Sequence, residues 1–151
     1  MKPFRFNLEK VLKVRQVETL KAKQALAKAQ LTSGQAWVVM EKARTDRTAF
    51  EAAWEERRSS QRQTVREWTE SSQRHAAMVE AEKAAVEALH QALAAVAEKR
   101  AELEEAERKE QALLKLREQQ EAAHDSAERA EEQATTDEIA QNTRRSVRGV
   151  G

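Results

Sequence analysis

The sequence predicts an all-α protein: a long antiparallel two-helix coiled-coil hairpin whose C-terminal helix is the longer. Three observations carry this. Charged residues make up 35% of the 151 positions and aromatics 4%, with three Gly and one Pro, a composition typical of long helices and coiled coils. Apolar side chains recur at alternating steps of three and four over most of the chain. The charge is also divided along the chain. Residues 1–75 carry 16 basic and 9 acidic side chains, whereas residues 76–140 carry 8 and 17. A basic arm followed by an acidic one favours the two lying side by side. Single surface pairs contribute only ~0–1 kcal/mol, so the pattern sets register and orientation more than stability.

The first arm is expected to be helical over residues 8–58. Asn7 suits an N-cap and Glu9 the positive end of the helix dipole, while Phe6 stands at the hydrophobic-staple spacing from Val11. From Leu8 the heptad series runs through Leu12, Arg15, Thr19, Ala22, Leu26, Ala29, Ser33, Ala36, Met40, Ala43, Arg47 and Phe50 to Trp54 without a break. Gly34 lies inside this series and reads as a soft spot, costing ~1 kcal/mol relative to Ala, and not as a turn.

The reversal has neither Gly nor Pro to mark it. Two consecutive capping boxes, Ser60…Gln63 and Thr64…Glu67, place it at about 59–64, with Ser71–Ser72 as the alternative. The second helix is expected over 64–134 or 64–140, with a seam of Val86, Leu89, Leu93, Val96, Arg100, Leu103, Glu107, Glu110, Leu114 and Arg117. Arms of roughly 50 and 70 residues, or ~75 and ~105 Å, folded about residue 61 bring Leu8 opposite Leu114. The stretch from Lys115 to Ala140 then overhangs without a partner in its own chain. Residues 141–151 read as a disordered basic tail. Seams rich in Ala and Ser bury little apolar area, at ~25 cal/mol per Å², so the expected rod is marginally stable.

Several function classes fall away. No cysteine means no thiolate or disulfide chemistry and suits a reducing cytoplasm. The amino end has no apolar signal core, and the longest uncharged run, Ala29 to Met40, is too short to span a bilayer. The pairs Glu87…His90 and Glu121…His124 have the spacing of di-iron bundles. They lie ~50 Å apart on one predicted helix, so they read as surface residues, and no metal or cofactor site is assigned. His75 has no ligand set near it. No phosphate loop or nucleophile motif is present, and a two-helix rod has no pocket that excludes water. An enzyme with a small-molecule substrate is not expected. A net charge of +1 and no binding module argue against nucleic acid.

The six aromatic residues carry the remaining signal. Phe50 and Trp54 fall on the seam near the turn, where burial explains them. Trp37 and Trp68 are hard to bury between two helices, and exposed Trp is a typical partner anchor. Phe4 and Phe6 stand at the very start of the first helix.

The pattern Phe4-x-Phe6-x-Leu8-x-x-Val11-Leu12-x-x-Arg15, the stretch LLKLREQQEAAH from Leu113 to His124, and Asp137-Glu138-Ile139-Ala140 together resemble the FliJ family of flagellar export proteins. The family is itself similar to the YscO-type stalk proteins of type III secretion systems. The resemblance covers the whole chain. It implies a hairpin similar to the central stalk of a rotary ATPase, non-catalytic and monomeric alone, cytoplasmic and peripheral to the inner membrane at the export apparatus. Its implied partners are a hexameric export ATPase, the membrane export gate and export chaperones. The ATPase-binding end would comprise Phe4, Phe6, Leu8, Val11, Leu12, Arg15, Leu116, Asp137, Glu138 and Ile139. Trp37, Phe50, Trp54 and Trp68 would face the gate or chaperones. The alternative is a generic cytoplasmic coiled-coil scaffold.

Overall fold

The computed structural model describes residues 2–60 and 62–150, and these form two long helices that pack against each other as a hairpin. Helix α1 spans Glu9–Ser60 and α2 spans Val65–Gly149. Contacts divide the chain into two compact units. One joins Met1–Thr19 to Ala106–Gly151 and is called the terminal unit. The other, Leu20–Glu105, holds the turn and is called the turn unit.

The start of α1 differs slightly from expectation. The first helical bond runs from Leu12 N to the Leu8 carbonyl at 2.8 Å, so Leu8 and not Asn7 holds the cap position. Phe6 is buried, but Val11, its expected staple partner, is 40% exposed, whereas Leu12 is only 1% exposed. At the turn, the Thr64…Glu67 capping box forms in both directions. Glu67 N donates to Thr64 Oγ1 at 3.2 Å and Thr64 N donates to Glu67 Oε2 at 3.3 Å. The Ser60…Gln63 box does not form, because Ser60 ends α1 and its hydroxyl donates back to the Glu56 carbonyl. The expected fold point, residue 61, lies outside the described residues, and residues 62–64 are non-helical.

The seam of α1 follows the heptad count closely. Within the turn unit, every series position from Ala22 to Trp54 is buried or half-buried. On α2 one column of the seam is corrected. Leu89, Val96 and Leu103 face inward as expected, but Leu93 is 52% exposed and Arg100 is exposed. Ala92 and Lys99 hold the inward places. Both columns share the residues spaced by seven, and they differ in which flank completes the stripe. Leu93 has the larger side chain, but α1 lies on the Ala92 side, where a small residue permits close approach.

In the terminal unit, Leu12, Arg15 and Thr19 lie at the seam with Glu107, Glu110, Leu114 and Arg117. Thr19 is 4% exposed, and its hydroxyl is satisfied by the Arg15 carbonyl at 3.0 Å. Glu9 pairs with Arg117 at 3.7 Å, so the first turn of α1 meets α2 slightly farther along than Leu114. Helix α2 continues to Gly149, which corrects the disordered tail expected from residue 141. Nothing in the sequence stops it sooner, since the first Gly after Gly34 is Gly149.

Two outcomes follow for stability. A Cβ added at Gly34 meets nothing within 4 Å and no unusual backbone angle. Gly34→Ala should therefore stabilise the protein by about 1 kcal/mol in chemical denaturation followed by circular dichroism. Thr64→Ala should cost about 1 kcal/mol by losing the cap, whereas Ser60→Ala should leave the same unfolding curve in place.

Candidate functional site

In the terminal unit the site begins with a strap. Pro3 fixes an extended entry and offers no backbone N–H, and residues 3–6 run non-helical before the turn at Asn7–Leu8. This segment lies along α2. His124 Nε2 contacts the Lys2 carbonyl at 3.0 Å, which makes Nε2–H the donor. The Phe4 ring stands 5.7 Å from the His124 ring, tilted by 58°. Phe6 is 7% exposed. His124 Nδ1 is shielded, and at 3.7 Å from Asp125 Oδ1 it is too far for a hydrogen bond.

The expected ring-binding residues thus separate into three groups. Phe6 and Leu12 are buried and hold the unit together; Phe4, Arg15 and Leu116 are half-buried. Leu8, Val11, Asp137, Glu138 and Ile139 are exposed, Ile139 at 62%. Asp137 to Ile139 stand ~20 Å beyond His124 along α2, so no contact joins them to the strap. Helix α2 is fully exposed from Arg129 onward. The bare stretch is shorter than the overhang expected from Lys115, because Glu9 of α1 reaches Arg117 and the strap meets α2 at His124. Counting helical pairs alone missed this cover, although the two Phe residues before the helix were its signal.

His124, Asp125 and Glu128 each place one potential ligand atom within 4.8 Å of the others. Since His124 Nε2 is engaged, only Nδ1 remains there for a metal, and exposed acidic groups often cluster this way without one.

The turn unit holds an aromatic group. Phe50 and Trp54 project from α1 at helical spacing, with centroids 6.0 Å apart. Trp68 and His75 meet them from α2: Trp54 lies 6.3 Å from Trp68 and 5.6 Å from His75, and Phe50 stacks on His75 at 6.3 Å and 21°. The Arg74 guanidinium stands 5.5 Å over the Phe50 ring, within cation–π range. Trp68 remains 51% exposed. Trp54 Nε1 is shielded and has no acceptor. Trp37, at 53% exposure, stands apart from this group on the outer side of α1. Of the four aromatic residues singled out from the sequence, three come together. His75 and Arg74 were missed, although His75 falls on the inward stripe that continues through Met78 and Glu82.

A charge network supports the group. Glu51 Oε1 accepts from His75 Nε2 at 2.8 Å and from Arg47 Nη1 at 2.9 Å. Arg47 also binds Glu82 through Nε, and Arg44 Nε reaches Glu82 at 3.4 Å. The His75 hydrogen bond, followed by that of Arg47, holds the Glu51 carboxyl below the usual carboxylate range. Arg47 does the same for Glu82, and both carboxylates push the Arg47 guanidinium further up. Aromatic faces, one guanidinium and a tethered imidazole at the surface are groups that bind.

No helix among the described residues is long and apolar enough to cross a membrane. A family model described as Flagellar FliJ protein matches residues 4–148. Comparison with curated proteins and with solved structures returned no match.

The network makes the fold acid-sensitive. Glu51 and Glu82 have depressed values in the folded state, so their contribution is complete above the ordinary carboxylate pKa of about 4.3 and is lost as the pH falls through the folded-state values. Wild type should melt higher than Glu82→Gln by a constant margin above about pH 5, and the margin should close on acidification. Thermal melts at stepped pH measure it.

Proposed function

We propose a stalk role for this chain, which belongs to the flagellar FliJ protein family, a family of non-catalytic components of the flagellar export apparatus. In this reading the terminal unit inserts into the central opening of a hexameric export ATPase and promotes its assembly and activity. The aromatic group of the turn unit engages the membrane export gate, and the chain hands on export chaperones that have released their cargo.

One observation carries the proposal most. The terminal unit combines a strapped start with a helix whose described residues are all exposed from Arg129 onward. A lone helix of this kind is marginal in water, so its exposed Ile139 and acidic neighbours suit contact with another protein. The strap supports the same reading, because it fixes α1 and α2 against each other where a ring would grip them. The aromatic group supports the gate assignment through Trp68, half of whose surface is open.

The mechanism is mechanical. A stalk that contacts one ring subunit's conformation better than its neighbours' shifts the population towards that conformation by the difference in contact energy. Hydrolysis at the ring is thereby coupled to the gate.

The structure guides the choice of variants. Phe4→Ala with Phe6→Ala releases the strap as well as any partner contact, so it reports on both. Ile139→Asp changes an exposed position and leaves the packing intact. Ile139→Asp should lower stimulation of the export ATPase at least about fivefold, corresponding to ~1 kcal/mol, with unchanged helix content by circular dichroism. Stimulation equal to wild type by both variants would remove the terminal unit from the ring.

A further inference from the structure

Helix α1 carries a second heptad series that its own chain does not use. Leu20, Gln24, Ala27, Leu31, Gly34 and Val38 follow steps of four and three, all within the turn unit. All six are exposed, Leu20 at 55%, Leu31 at 64% and Val38 at 60%. Each stands one or two residues after a position of the seam that faces α2, or ~150° around the helix. The stripe therefore lies nearly opposite the packed face.

Its flanks have one sign. The charged positions bordering the stripe are Lys21, Lys23 and Lys28, and from Thr19 to Met40 the chain has no Asp or Glu. Among the described residues, Lys21, Lys23 and Lys28 pair with no carboxylate. Gly34 sits in the stripe at a cost in helix propensity, yet nothing in this chain approaches the space its missing Cβ leaves open. Such a position admits another backbone closely.

We propose that this stripe is a docking seam for one amphipathic helix of a partner protein, with aliphatic residues at its own heptad core and Asp or Glu on both borders. The maintained three–four spacing is what a coiled-coil partner needs, and lysine borders select acidic ones. A lipid surface fits less well. Binding to a bilayer scales with buried apolar area, and this stripe is one column wide, with Gln24 in it and little area at Ala27 and Gly34. The inference does not rest on the stalk reading, because it uses no residue assigned to the ring or gate except Trp37, which borders the stripe.

The test uses the full chain and two synthetic peptides of about four heptads, both with Leu at the core positions. One has Glu at the border positions and the other Lys. In fluorescence anisotropy the Glu peptide should bind at least about tenfold tighter than the Lys peptide. The preference should shrink as salt rises from about 0.05 M to about 0.3 M. Leu31→Asp with Val38→Asp should abolish binding without changing the far-ultraviolet spectrum. Lys21→Glu, Lys23→Glu and Lys28→Glu together should reverse the preference. Equal binding of the two peptides, or no binding of either at about 100 μM, overturns the proposal. So does retention of binding by the double Asp variant. Stripe-dependent co-sedimentation with phosphatidylserine vesicles in place of peptide binding, or stripe-dependent self-association in ultracentrifugation, would assign the surface to a lipid or to a second copy and overturn it equally.

Discussion

Two helices packed together can dehydrate only one stripe of each, and the character of this chain follows from that limit. Only Phe6, Leu12, Met40, Ala85 and Thr19 are buried among the described residues. The remaining seam positions are half-covered, and many are Ala or Ser. Burial at ~25 cal/mol per Å² gives such an interface little surplus over the entropy of ordering long side chains. Local terms accordingly count for more here than in a globular domain: helix propensity along both arms, one complete capping box at the turn, and the anchoring of the chain's first residues. The same limit explains the exposure of Trp68. A ring wider than the stripe must leave part of its surface in water, as Trp68 does.

Electrostatics organise the packing in a more mixed way than the division of charge suggests. Arg44 and Arg47 of the basic arm meet Glu82 of the acidic one, as a simple pairing of arms requires. Glu51 with His75 and Glu9 with Arg117 run the other way, acid from the first helix to base on the second. Net charge per arm thus predicts the average field between the helices, while each pair depends on which residue falls beside the seam. The Arg47 network gains its coherence from sharing: two carboxylates from different helices converge on one guanidinium, and one of them also orients the imidazole within the aromatic group.

Much of the fold was legible because the governing signals are local and periodic. The α1 stripe from Leu12 to Trp54 matches the heptad count position by position, since α1 keeps one partner along its seam. Thr64…Glu67 was legible because a capping box is contained in four residues. The errors arose where local pattern leaves two solutions. Leu93 and Ala92 both complete a valid seam with Leu89 and Val96, and only the position of α1 decides between them. The strap was hidden because Phe4 and Phe6 precede the helix, so no periodicity assigns them a partner 120 residues away. Within the candidate site, Trp37, Phe50, Trp54 and Trp68 stood out by rarity. His75 and Arg74 did not, because their role comes from the aromatic rings they meet.

The bare end of α2 has a consequence for any binder that takes hold of it. From Arg129 onward every described residue of the helix is exposed, and the side chains that bond its backbone carbonyls are the helix's own threonines. A binder that takes hold of this stretch must therefore supply the free energy that keeps it wound, which lowers the affinity gained per unit of contact. Large surfaces can then be gripped without long residence times, a combination that favours rapid release and recapture over permanent assembly.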